Sequence, residues 1–112
     1  MAKSGKPIVV LTTVAKKSQA DNIAQSLLEQ NLAACVTALP GGESRYRWKG
    51  KICKENEYLL IIKTASTQYD RLEKALKSIH PYECPEIMAL PTDKIYPPYR
   101  KWLMEQVSKK VL

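Results

Sequence analysis

His80, Glu83, Cys84 and Glu86 fall within seven residues and offer imidazole nitrogen, thiol sulfur and carboxylate oxygen. Copper and its neighbours among the divalent ions take imidazole and thiolate donors, so this segment is the candidate metal site, with His80, Cys84 and Glu86 as ligands. A structural role competes, because a histidine at a helix C-terminus interacts well with the dipole and can cap free carbonyls. The remaining residues speak against catalysis. His80 is the sole histidine, so a nucleophilic Cys35 or Cys53 would need it as base. Cys35 sits between Ala34 and Val36 and reads as a small apolar core residue. Glu55 and Glu57 alternate with Lys54 along an exposed edge and read as a solvated strand, not an acid/base pair. The chain lacks the glycine pattern of a nucleotide-binding loop, and Pro40-Gly41-Gly42 is a turn.

Composition narrows the class further. The 112 residues are 45% apolar and 26% charged, enough for one hydrophobic core and too few for two. A single domain over 1–112 is expected. Ile8-Val9-Val10-Leu11 is shorter than the apolar core of a signal peptide, and no run approaches the roughly 20 apolar residues of a membrane span. Three widely spaced cysteines fit reduced thiols in a cytoplasmic protein better than a disulfide framework. The net charge of +7, from 18 Lys and Arg against 11 Asp and Glu, gives weak attraction to anions. The lysines are scattered, with doublets only at Lys16-Lys17 and Lys109-Lys110, and no RNP-type motif appears, so no sequence-specific nucleic-acid reading is expected. Six Tyr, two Trp and no Phe put a polar atom on every aromatic ring and suit the boundary of a pocket or subunit contact.

The elements that must position these residues follow from periodicity. Pro7 to Thr13 is β-branched and nearly continuously apolar, the pattern of a strand covered on both faces. Ser18 precedes a helix running to about Gln30, whose stripe is Ala20, Ile23, Ala24, Leu27 and Leu28. Asn31 can end it in the left-handed region. Ala34 to Leu39 is a second strand stopped by Pro40. Tyr46–Trp48 and Ile52–Cys53 flank a tight turn at Lys49-Gly50-Lys51 and make a protruding hairpin arm. Glu57 to Thr64 is another central strand. A capping pair, Thr67 and Asp70, opens a second helix with Tyr69, Leu72, Leu76 and Ile79 on one side; Pro81 ends it near His80. Glu86 to Leu90 is a last strand, and Tyr99, Trp102, Leu103, Met104 and Val107 give a short C-terminal helix. The order predicts an α+β, ferredoxin-like (split βαβ) antiparallel sheet with two helices on one face. Such a sheet leaves its other face open, to be covered by association.

Five segments in order, Asn31–Val36, Tyr46–Ile52, Ile61–Thr64, His80–Ile87 and Tyr99–Leu103, resemble the CutA family, named for divalent-cation tolerance. The resemblance spans nearly the whole chain, and its most specific part is His80-Pro81-Tyr82 followed by Pro85-Glu86. It implies a compact homotrimer in the cytoplasm with sheets continuing across subunits, and a capacity to bind copper or another divalent ion. It implies no settled activity. The shape also resembles trimeric PII signal-transduction proteins, which leaves a small-ligand sensor acting through an unidentified protein partner as the alternative. In copper-binding relatives the pattern adds a cysteine at the end of the first strand. Here that position is Thr12, so the resemblance implies weak copper binding by His80 and Glu86, strengthened only if Cys84 contributes sulfur.

Overall fold

The computed structural model describes residues 5–108. The doublet Lys109-Lys110 and the start of the chain at 1–4, on which the reading of the leader rests in part, lie outside them. The elements in order are β1 (Pro7–Val14), α1 (Lys17–Glu29), β2 (Cys35–Trp48), β3 (Lys51–Ala65), a 3-10 turn (Ser66–Gln68), α2 (Tyr69–Ile79), β4 (Met88–Pro91) and α3 (Pro97–Ser108). The strands form one sheet in the order β2-β3-β1-β4, and every neighbouring pair is antiparallel. Each of the two βαβ units therefore holds a strand of the other between its own, the split arrangement expected from the sequence. No described helix is long and apolar enough to cross a membrane.

Alternation decides which residues the helices cover. Ile8, Val10, Thr12 and Val14 of β1 and Leu60, Ile62 and Thr64 of β3 are buried. Above the apolar members pack Ala20, Ile23 and Leu27 of α1 and Leu72 and Leu76 of α2. Each fully buried Leu or Ile contributes about 1.5–3 kcal/mol. A smaller cluster joins Ala34 and Ala65 to Leu103 and Val107 of α3, so α3 closes one end of the sheet and leaves the other face uncovered. Facing outward there are Leu39, Met88 and Leu90, exposed by 46, 51 and 48%.

Boundaries differ from expectation where local chemistry is ambiguous. Helix α1 starts before Ser18: the N-cap is Lys16, whose N–H donates to Gln19 Oε1 at 3.1 Å. Thr67 does not cap α2; Ser66–Gln68 form a 3-10 turn, with the Lys6 N–H donating to Ser66 Oγ at 3.0 Å. Asn31 does adopt the left-handed region, with φ 57°.

The largest difference is at Pro40, which does not stop β2. The strand runs through it with a bulge between Leu39 and Gly42, and β2 and β3 stay paired to Trp48↔Lys51. The turn is then two residues, Lys49 and Gly50, with φ 50° and 79°, the left-handed pair of a type I′ hairpin. Within the bulge Pro40 and Gly41 stand opposite the single residue Tyr58, so Gly42, Ser44, Tyr46 and Trp48 continue the face that Cys35, Thr37 and Leu39 begin. Gly42 is required by its neighbour: a Cβ there would lie 2.9 Å from Glu57 O. Gly42→Ala must push the two strands apart at the root of the arm, and a loss of about 1–3 kcal/mol is expected. Urea unfolding midpoints of parent and variant check it, an unchanged midpoint counting against this packing.

Candidate functional site

Pro81 disfavours the helical region for the residue before it, and His80 is accordingly extended at φ −74°, ψ 135°. Its N–H still donates to Leu76 O at 2.9 Å, but its ring turns away from the helix end. The residue is 8% exposed, and its imidazole lies against the end of β1. Nε2 is 3.0 Å from Thr13 O and 3.1 Å from Thr12 Oγ1, while Nδ1 accepts the Tyr82 N–H at 3.1 Å. An acceptor at Nδ1 and a carbonyl at Nε2 assign the neutral tautomer with its proton on Nε2. Burial pushes the His80 pKa down, against the raising effects of Thr13 O and the charge of Glu57.

From the same loop Tyr82 sets its ring edge against His80, with centroids 4.9 Å apart, and donates its hydroxyl to Glu57 Oε2 at 2.6 Å. Glu57 is not the solvated edge residue that its sequence neighbours suggest. It is 7% exposed, on a strand flanked by β1 and β2. Burial alone would raise its pKa, but hydroxyl donors from Ser44, Tyr82 and Thr13, together with the charge of His80, hold it below its usual value. Tyr82 moves the other way: burial, then the bond to Glu57 and its negative charge, keep the phenol protonated. The result is a hydrogen-bonded chain from α2 through His80, Tyr82 and Glu57 to the root of the arm. No described buried side-chain nitrogen or oxygen lacks a partner.

The candidate ligands do not gather around His80. Cys84 and Glu86 are exposed in the loop. Among the described residues no group of three His, Cys, Asp or Glu could hold a metal ion. Both ring nitrogens of His80 are already engaged, so a metal there must displace Thr13 O with Thr12, or the Tyr82 amide. The structure instead brings His80 to Thr12, and a threonine hydroxyl is a poor ligand for copper beside a thiolate. Cys35 is half-buried on the open face beside Lys63, whose Nζ lies 3.7 Å from Sγ and 2.9 Å from Thr37 Oγ1; it is not in the helix-covered core.

Glu57 escapes a reading of the sequence, where its signal is slight: it leads Tyr58-Leu59-Leu60-Ile61-Ile62, a run too apolar for a solvated edge strand. Its partner Tyr82 lies 25 residues away, a pairing no local pattern encodes.

Fold and sequence both have counterparts among known proteins. The family model described as CutA1 divalent ion tolerance protein matches residues 8–106. The divalent-cation tolerance protein CutA of Thermus thermophilus is 43% identical over 100 residues, 89% of this chain and 97% of that protein. A solved structure of the Thermus thermophilus protein superposes with TM-score 0.87 at 42% identity, covering 89% of this chain and 97% of that one. CutA1 from Oryza sativa gives TM-score 0.87 at 40% identity, covering 93% and 96%. The architecture is that of a small α+β protein built on the split βαβ sheet. The chain belongs to the CutA1 divalent ion tolerance family.

The polar chain makes stability depend on pH in a defined direction. His80 binds a proton less readily folded than unfolded, so stability is level above its ordinary value of 6.5 and falls as pH drops through it. Glu57, depressed in the fold, adds a second loss once pH falls below its ordinary 4.5. Thermal midpoints from pH 8 to pH 3 are expected to decline in both ranges. His80→Gln should remove the upper step and keep the lower; an upper step that survives would mean His80 is not its source.

Proposed function

We propose that the protein acts as a homotrimer in divalent-cation tolerance, binding copper or another divalent ion weakly in the cytoplasm, without catalysing a reaction. The family and the names of its relatives support the connection to divalent cations. Support for assembly comes from the open face of the sheet. Cross-strand partners share a face, and their rows read Leu90, Val9, Lys63, Cys35; then Met88, Leu11, Ile61, Thr37; then Thr13, Leu59, Leu39. The face continues onto the arm as Tyr46 and Trp48, exposed by 41 and 43%. Exposed apolar rows on the sheet, with two rings beyond the polar rows Gly42–Glu57 and Ser44–Glu55, are the mark of an interaction site.

A closed trimer predicts light scattering at three times the 12.7 kDa chain mass. Trp48→Ala should weaken assembly before it unfolds the subunit, because a buried aromatic anchor costs ~2 kcal/mol or more on truncation. A clean monomer at micromolar concentration would overturn the proposal.

Weak metal binding follows from the donor set. His80, Cys84 and Glu86 are the ligands proposed, yet His80 is engaged and the other two stand in solvent. Calorimetric titration of the parent, His80→Ala and Cys84→Ala with Cu(I) and Cu(II) tests each donor. Low affinity that declines as pH falls is expected, since the ligands must be deprotonated. Unchanged binding in His80→Ala would remove that residue from the site; loss there with no effect of Cys84→Ala would leave a histidine and carboxylate site.

A further inference from the structure

The three rows that make up the open face of the sheet hold one charged side chain, Lys63, which stands between Val9 and Cys35. It is half-buried. Its ammonium donates to Thr37 Oγ1 at 2.9 Å and lies 3.7 Å from Cys35 Sγ, and among the described residues no carboxylate comes within ion-pair distance of it. One hydroxyl is a thin shell for a cation, and water completes it while the face is open. Under a second copy that water is lost. An ammonium taken out of water is costly unless an opposite charge meets it, so a surface that covers this face has to bring an acid to Lys63.

The strands themselves hold three acids, Glu43, Glu55 and Glu57. Glu43 lies on the far side of the arm, engaged with Arg45 at 3.0 Å and Lys54 at 3.3 Å. Glu57 is enclosed by its hydroxyl donors. Glu55 differs from both: it is exposed, has no cation within ion-pair distance among the described residues, and stands opposite Ser44 on the side of the arm that carries Tyr46 and Trp48. Eight residues of β3 separate it from Lys63, about 27 Å of strand, so the two cannot meet within one chain. We propose that Glu55 on the arm of one copy pairs with Lys63 on the open face of the next, an inference that rests on the reading that a second copy covers this face. One registration satisfies charge and rings together. With the Ser44 and Glu55 row over Lys63 and the arm lying along the neighbour's strands, Tyr46 advances by about 6.8 Å to the row of Leu11 and Ile61, and Trp48 by about 13 Å to that of Leu59 and Leu39. Lys51, at the end of the arm, has a stem long enough to keep its ammonium in water. A single charge pair inside an apolar contact fixes register, because any slip strands Lys63 without its acid.

Charge exchange in the full chain tests the pair, with sedimentation equilibrium reading assembly and circular dichroism checking the fold. Lys63→Glu and Glu55→Lys each set like charges against one another and should raise the concentration needed for half-assembly by about tenfold or more. Lys63→Glu/Glu55→Lys restores an opposite pair and should recover most of that loss. The control Lys63→Glu/Glu43→Lys has the same net charge with the new lysine on the wrong side of the arm, and should stay as weak as Lys63→Glu alone. If a reversal fails to fold, the neutral set Lys63→Met, Glu55→Gln and Lys63→Met/Glu55→Gln takes its place, and the double variant should then lose less than the two single losses multiplied. A parent that assembles while the single variants match it, an exchange that recovers nothing, or equal recovery in the Glu43 control overturns the pair and leaves the assembly standing. A parent that is monomeric at micromolar concentration overturns the assembly and the pair with it.

Discussion

Alternation along β1 sends Ile8, Val10, Thr12 and Val14 under the two helices and Val9, Leu11 and Thr13 to the opposite side. The chain has only α1 and α2 to lay over a four-stranded sheet, and α3 is occupied at its end with Ala34 and Ala65. Apart from Ala65, packed against α3, and Glu57, reached by the Tyr82 hydroxyl, the side chains of the other face are therefore built for a surface this chain does not itself cover. That constraint explains the composition. The covered face holds buried aliphatic residues with Thr12 and Thr64, and the uncovered one mixes Leu, Ile, Val and Met with Thr37, Lys63 and the polar-tipped aromatics of the arm. Rings carrying a hydroxyl or an indole N–H tolerate both water and a partner.

The buried polar chain answers a second constraint, the geometry of the arm. A long hairpin leaving a sheet must be held at its root, or it pivots at the bulge. Here the root is tied from both sides: Glu57 O leaves no space for a Cβ at Gly42, and the Glu57 carboxylate collects hydroxyls from β1, β2 and the loop after α2. Burying a carboxylate is costly without such donors. With several, it becomes a specific link whose loss would leave a charge in the interior. His80 extends the link to the helix layer, and its neutral form is set by two fixed partners, a carbonyl and an amide. The same engagement that makes His80 a good structural residue makes it a reluctant metal ligand.

Much of this is legible in the sequence. Both helices, the central strands and the open face follow from periodicity, since burial on one side writes a period of 3.6 or 2 into the apolar residues. Two features are not. Pro40 reads as a stop because a proline cannot donate to a ladder, yet β2 is an edge strand and Pro40 sits in its bulge, where no donor is required. Glu57 reads as solvated because its neighbours are charged, and only the tertiary approach of Tyr82 and Ser44 gives it a buried role. The metal candidates illustrate the same limit from the other side: His80, Cys84 and Glu86 are close in sequence, but Pro81 and Pro85 shape the segment so that the histidine points inward while the other two remain in solvent.

The bulge also decides which side of the arm is apolar. In an unbroken strand the odd-numbered positions that begin the open face at Cys35, Thr37 and Leu39 would continue it as Glu43, Arg45 and Arg47, and the rings of Tyr46 and Trp48 would fall on the helix side. With Pro40 and Gly41 together opposite Tyr58, one residue is absorbed and the face passes to the even positions, so it runs from Val9 and Ile61 out to Tyr46 and Trp48. Glu43, Arg45 and Arg47 are then carried to the other side, beyond the reach of the helices. An arm whose apolar side lies on a neighbouring subunit would turn that charged side to solvent, where Arg47 loses nothing by staying hydrated. The element that hands the open face to Tyr46 and Trp48 is thus a Pro-Gly pair that the sequence alone presents as an ending.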